Sequence, residues 1–261
     1  MNELAKRTVF GLLFVVVVIG SILLHNLAFS VVMLATIIIG SMEVGKLMVK
    51  ENHRGIKVIV VSVMILTIVL LALTKISEAL WLFLPFIPMI IAVFSKKYSF
   101  TEIVMSCWVS LFFVFIPCCV MIVLADKWKE MLIALFCMIW INDIFAYLIG
   151  RAIGKHKLCE RISPNKTIEG SIGGLVMTIA VTLLGNYFCY FMPWPYMLEL
   201  AFVVVVFGTL GDLCESMMKR QAGVKDSGNV IPGHGGILDR FDAAFLAMPF
   251  AYIYLSVLSV I

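Results

Sequence analysis

Nine stretches of this chain are apolar enough and long enough to cross a bilayer, at roughly 8 to 24, 28 to 49, 57 to 74, 79 to 94, 102 to 124, 131 to 150, 171 to 191, 197 to 218 and 242 to 260. A helix needs about 20 predominantly apolar residues to span a hydrocarbon core of about 30 Å. The chain therefore reads as an all-α, polytopic transmembrane bundle of about nine helices. Its composition agrees, because 62% hydrophobic and only 14% charged residues, with a mean hydropathy of +1.09, exclude an ordinary water-soluble surface.

A net charge of +4 hints at nucleic-acid or acidic-lipid affinity, but in a membrane protein the placement of Lys and Arg matters more than their total. With the N-terminus on the cytoplasmic side, seventeen of the 20 Lys and Arg fall on inside segments, and only Lys75, Lys127 and Lys129 lie outside. This positive-inside asymmetry predicts an integral, multi-pass protein with a cytoplasmic N-terminus, and no nucleic-acid role is expected. Lys6 and Arg7 ahead of the first apolar run resemble a signal peptide, yet no A-x-A site follows and a second span begins at once. The run reads as an uncleaved first helix. The seven cysteines form no CxxC pair and, Cys159 apart, lie within apolar stretches, as packing residues do.

Ionisable residues are sparse in helices one to five and crowd the ends of helices six, eight and nine. Residues 1–124 are accordingly expected to form an N-terminal set of five helices, and 125–261 a catalytic region of four helices with two long cytoplasmic loops, Arg151 to Gly170 and Gln221 to Arg240. A charge near the middle of a membrane helix costs about 2.5–3.5 kcal/mol on insertion scales, so each one needs a reason. Asp143, preceded by Asn142, and Asp212, Glu215 and Asp242 are such charges. Asp212, Glu215, Ser216 and Lys219 recur at helical spacing and predict one wet stripe on helix eight. Asp239 and Asp242, three apart, place two carboxylates on one face at the start of helix nine. With Asp212 they would suffice for Mg²⁺, which usually takes one or two carboxylates and fills its remaining positions with water and phosphate oxygens. A plainer account of an acidic residue at a helix start is the helix dipole, worth about 0.3–1 kcal/mol, which does not explain Asp212.

Between helices eight and nine, Lys219-Arg220, Lys225-Asp226, Pro232-Gly233-His234-Gly235-Gly236 and Asp239-Arg240 interleave cations, acids and flexible backbone. Glycines at 233, 235 and 236 permit positive φ and let N–H groups line an anion site, while the basic residues suit phosphate oxygens. Each residue taken singly is equally well a positive-inside or turn residue. In the other loop, Ser163-Pro164 is a plausible helix start, which would put Lys166 in a first turn whose dipole disfavours a cation and favours a bound anion beside it. Gly150 to His156 is not a Walker loop, since its spacing is one residue short and His156 stands where Ser or Thr belongs.

Ser216 to Asp242, SMMKRQAGVKDSGNVIPGHGGILDRFD, resembles the signature of the phosphatidate cytidylyltransferases, or CDP-diacylglycerol synthases. Upstream, Asn142-Asp143, Ala146-Tyr147, Gly150-Arg151, Gly154-Lys155, Ser163-Pro164, Lys166-Thr167, Glu169-Gly170 and Gly211-Asp212 also resemble that family, whereas Ile144 departs from the small polar residue its members often carry there. The resemblance covers helices six to nine closely and the first five only in hydrophobic character. It implies a Mg²⁺-dependent enzyme of phospholipid biosynthesis that joins CTP to phosphatidate with release of pyrophosphate. A second, monovalent cation is left open. It further implies a homodimer among membrane lipids, with a polar cavity open to the cytoplasm at a bacterial inner membrane. Asp212 and Asp239 are then metal ligands supported by Asp242; Lys219, Arg220, Lys225, Asp226, His234 and Arg240 complete the catalytic set; and Asn142, Asp143, Arg151, Ser163, Lys166 and Ser216 contact substrate. Two rivals are a CTP-using membrane enzyme acting on another lipid, such as a polyprenol kinase or the archaeal ether-lipid counterpart, and a secondary transporter with carboxylates in paired repeats. The crowding of charge at one membrane face and the lack of a repeat weigh against the transporter.

Overall fold

The computed structural model describes residues 3–49, 53–73, 85–230 and 235–258. Among these, nine helices follow the expected runs: α1 (Glu3–Leu24), α2 (Asn26–Met48), α3 (His53–Leu73), α4 (Ile87–Phe94), α5 (Phe100–Lys127), α6 (Lys129–Ile153), α7 (Ile168–Cys189), α8 (Trp194–Gln221) and α9 (Leu238–Val257). Residues 79–84, where the fourth run was expected to start, lie outside the described residues. Of the described helices, α2, α5, α6, α7 and α8 are long and apolar enough to cross a membrane. Only 22% of the most apolar window of α7 is buried within the protein, and Leu12, Val16, Leu23, Ile172, Val176 and Ile253 are exposed. Apolar surface on this scale requires a hydrocarbon solvent. The chain is an all-α, multi-pass membrane protein.

Contacts divide the chain into two compact units, one of Met1–Leu13, Val31–Cys118 and Met218–Arg240, the other of Phe14–Ser30, Cys119–Met217 and Phe241–Ile261. In the first, α3 and α4 pack on the early turns of α5, and Ile56, Val60, Ile103, Cys107 and Val114 are buried. Ser99 starts α5 with a capping box: its hydroxyl accepts from Glu102 N, and the Glu102 carboxylate accepts from Ser99 N. Residues Ser110–Phe115 widen α5 into a π-turn. Pro117 follows, with no N–H to donate and a ring that would strike the carbonyl four residues back, and the wide turn accommodates both.

In the second unit α6 packs against α7. Small residues make the close approach possible: Gly170 and Gly174 of α7 face Ala146, Gly150 and Asn142 of α6, the small-xxx-small pattern of membrane helix pairs. Phe241 anchors the same unit, stacked on Phe245 and edge-on to Phe14 and Phe136. The C-terminal end of α7 is closed by Asn186, 5% exposed, whose side chain donates to Met192 O and accepts from Phe191 N and Met192 N. The chain between α6 and α7 differs from expectation. Ser163-Pro164 does not begin a helix. Instead Lys157–Cys159 and Ser163–Thr167 pair as an antiparallel hairpin, β1 and β2, with Lys157 opposite Thr167, Cys159 opposite Ser163 and a register shift between them. Helix α7 starts only at Ile168, where Thr167 is the N-cap and accepts from Gly170 N at 3.1 Å. A threonine cap immediately ahead of the apolar run wins over Ser163, five residues from it, and Lys166 leaves the helix.

Candidate functional site

The predicted residues gather into two clusters, one in each unit. In the second unit the C-terminal halves of α6 and α8, the start of α7 and the hairpin line an open cavity of about 500 Å³, with Asn142, Asp143, Tyr147, Arg151, Asn165, Lys166, Thr167, Ser171, Thr209 and Asp212 in its walls. Its size suits a nucleotide or a lipid headgroup. Lys166, carried by β2, forms an ion pair with Asp212 of α8, whose other oxygen accepts from Ser216 Oγ at 3.2 Å. Lys166 is therefore held by an anion of the protein itself. Arg151 Nη1 donates to Tyr147 OH at 3.3 Å, one turn back along α6. Glu169, in the first turn of α7, accepts from Lys155 N and His156 N and contacts His156 Nδ1 at 2.6 Å, which ties the loop after α6 to the helix that follows the hairpin. Ser163, opposite Cys159 in the hairpin, does not line the cavity.

Acidic charge is concentrated behind that wall. Asp242 of α9 interacts electrostatically with Asp212, Asp143 and Glu215. Glu215 is 0% exposed, so the stripe Asp212, Glu215, Ser216 and Lys219 is not uniformly wet. Four carboxyl groups share this region with Lys166, and hard oxygen donors of this kind match Mg²⁺. Asp212 and Asp242 fit that role by chemistry, although no group of three or more His, Cys, Asp or Glu is arranged as a ready-made metal cage among the described residues.

The other cluster lies in the first unit, around Asp239. Its Oδ1 pairs with Lys219 Nζ at 2.6 Å, and its Oδ2 accepts from Gly236 N at 2.7 Å, Ser227 N at 2.9 Å and Ser227 Oγ at 2.8 Å. Asp239 is thus saturated by protein donors, and its carboxylate turns to a different set of partners from that of Asp242. Gly235 has φ +80°, and a Cβ there would sit 2.5 Å from Asp239 Oδ2. Both facts require glycine. Arg220 Nη1 donates to Val224 O, Lys225 and Asp226 are exposed, and Arg240 Nε is buried without a hydrogen-bond partner among the described residues. His234, with Ile231 to Gly233, lies outside the described residues.

Two members of this cluster escaped the sequence reading. Glu43 of α2 is 6% exposed and accepts from Ser227 Oγ at 2.9 Å, Leu238 N at 2.9 Å and Ile237 N at 3.0 Å. Ser227 stands between Glu43 and Asp239. Glu43 is the one carboxylate in the second apolar run, so the cost of burying charge in a membrane helix was a signal that pointed to it. Nothing in the local pattern distinguished Ser227 from a turn residue.

The chain is thus a multi-helix membrane protein that carries, in one unit, a polar cavity walled by cations and carboxylates and, in the other, a glycine-rich loop braced on buried acids. The chain belongs to the Cytidylyltransferase family, whose model matches residues 5–258. Relatives include the phosphatidate cytidylyltransferases of Bacillus subtilis (strain 168), 48% identical over 122 residues, Staphylococcus haemolyticus, 50% over 121, and Staphylococcus aureus (strain COL), 51% over 121. Each alignment covers 46% of this chain and 45–46% of the relative, so the matched stretch spans a little under half the length of those proteins.

Proposed function

We propose that the chain is a CTP:phosphatidate cytidylyltransferase, transferring CMP from CTP to phosphatidate to give CDP-diacylglycerol and pyrophosphate. The observation that carries this reading is family membership across residues 5–258, with about half of the aligned residues shared with proteins named for that activity. The charged cavity of the second unit supports it. A phosphatidate phosphate oxygen attacks the α-phosphorus of CTP, a new P–O bond forms, and the bond to the bridging oxygen breaks as pyrophosphate leaves. The phosphate monoester has a second pKa near 6 and is already anionic at neutral pH, so no strong general base is needed. The obstacle is repulsion between two anions. Lys166 and Arg151 line the cavity and offset part of that charge, while Tyr147 orients the Arg151 guanidinium.

Asp212 and Asp242 would hold Mg²⁺, which when bound supplies electrostatic stabilisation of the phosphate oxygens. Asp239 joins that set only if it releases one of its four protein donors. Lys219, Arg220, Lys225, Asp226, His234 and Arg240 take their phosphate-contacting roles from the family resemblance, as Asn142, Asp143, Ser163 and Ser216 take theirs in substrate binding. The proposal includes a cytoplasmic site at a bacterial inner membrane, a homodimer, and contacts with membrane lipids.

The test incubates purified protein with phosphatidate, Mg²⁺ and each nucleoside triphosphate in turn, following pyrophosphate release and the lipid product. CTP-dependent pyrophosphate with CDP-diacylglycerol is expected. Release of CDP with a phosphorylated lipid would instead identify a kinase. Asp212→Asn should abolish turnover while the protein stays inserted and folded, and wild-type turnover in that variant would remove Asp212 from the metal role.

A further inference from the structure

We propose that Glu43, far in sequence from the family signature, is a positioning residue that sets the loop bearing Asp239 through Ser227 and the first amides of α9. The functional half of the claim rests on the cytidylyltransferase reading. Three facts within the first unit carry it. Glu43 reaches across 184 to 195 residues of sequence to three donors, Ser227 Oγ, Ile237 N and Leu238 N, all within 3.0 Å. Ser227 is itself buried, at 0% exposure, and its hydroxyl lies 2.9 Å from Glu43 Oε2 and 2.8 Å from Asp239 Oδ2. One hydroxyl, with a single proton to share, therefore lies between the two carboxylates. The loop backbone also closes on Glu43 so tightly that a Cβ on Gly228 or Gly236 would meet its carboxylate oxygens.

Carboxylate burial of this degree is costly unless the oxygens are hydrogen-bonded, and membrane helices are poor places to keep a spare acid. Ile237 N, just ahead of α9, and Leu238 N, its first amide, have no partner within the helix, so the carboxylate satisfies them and sits at the favourable end of the helix dipole. The same contacts fix the height and rotation of the first turn of α9. Asp239 follows in that turn, and the pairing of Asp239 Oδ1 with Lys219 depends on where the turn sits. Glu43 acts on this pair without touching it. A misplacement of about 1 Å can cost about 100-fold in rate when the groups it moves are reactive ones.

The experiment compares wild type, Glu43→Gln, Ser227→Ala and the double variant in detergent, by steady-state kinetics and by hydrogen–deuterium exchange of the peptide containing Gly236 to Asp239. Gln keeps the shape of Glu but turns one acceptor into a donor that faces donors. The expected result is a kcat about 10- to 100-fold lower with the KM for CTP unchanged within about twofold, and a double variant no worse than the poorer single one. Exchange of the peptide should rise at least tenfold in Glu43→Gln. Additive losses, a KM that rises in step with the fall in kcat, or unchanged exchange would overturn the proposal. If Glu43→Gln does not fold, Gly228→Ala disturbs the brace from the loop side, and wild-type kcat and exchange in that variant would equally overturn it. Should wild type fail to join CTP to phosphatidate, the functional reading falls alone, because the exchange measurement still decides whether Glu43 holds the loop.

Discussion

Gly170→Ala adds one methyl group at a tight, mostly backbone-lined point of the α6 and α7 contact. The new Cβ would lie 2.6 Å from Ala146 O, 2.9 Å from Thr167 Oγ1 and 3.0 Å from Gly150 Cα. A carbon–oxygen contact is comfortable at about 3.3 Å or more, so the helices must separate by about 0.7 Å at that level. The atoms in the way are mostly backbone and cannot rotate aside. Overpacking of this kind costs about 1–3 kcal/mol, about 2–4 °C of Tm per kcal/mol for a chain near this size. Ala146, Gly150 and Thr167 line or border the cavity, so turnover should fall as well, by up to about 100-fold if the walls move by a comparable distance. Gly185→Ala is the internal control, since it lies on the same helix with nothing within 4 Å of its Cβ, and it should match or exceed wild-type stability. The assay is thermal unfolding of the detergent-solubilised protein beside CTP incorporation into phosphatidate. A Gly170→Ala protein as stable as Gly185→Ala would refute the close-packing argument.

Thr167→Val removes the hydroxyl that caps Gly170 N while keeping the side-chain volume, and should destabilise the protein by about 1 kcal/mol, read as a lowered Tm; no change would mean water replaces the cap. Lys166→Ala removes the cationic partner of Asp212 and a charge from the cavity wall, and is expected to weaken turnover at least tenfold, with Lys166→Arg restoring part of it; equal activity of Ala and Arg variants would exclude a charge-based role. Chelation of divalent cations should abolish CTP incorporation and re-addition of Mg²⁺ should restore it, whereas full activity in chelator would remove the cation from the proposal.

Much of this protein was legible in one dimension because a bilayer imposes one length scale on every span. Continuous apolar runs marked eight of the described helices to within a few residues of their bounds, the fourth being described only over Ile87–Phe94, and the rarity of charge in hydrocarbon pointed to Asp143, Asp212, Glu215 and Asp242. The signature from Ser216 to Asp242 likewise marked Lys219 and Asp239, which the fold then pairs. Tertiary structure alone decided which acid meets which base. It put Lys166 on a strand against Asp212, committed Asp239 to Lys219, Ser227 and Gly236, and brought Glu43 of α2 to a loop nearly two hundred residues away. The physical reason is that hydrophobic span length is a local property that each segment carries by itself. The pairing of a buried carboxylate is non-local, chosen among all the donors that folding brings within about 3 Å.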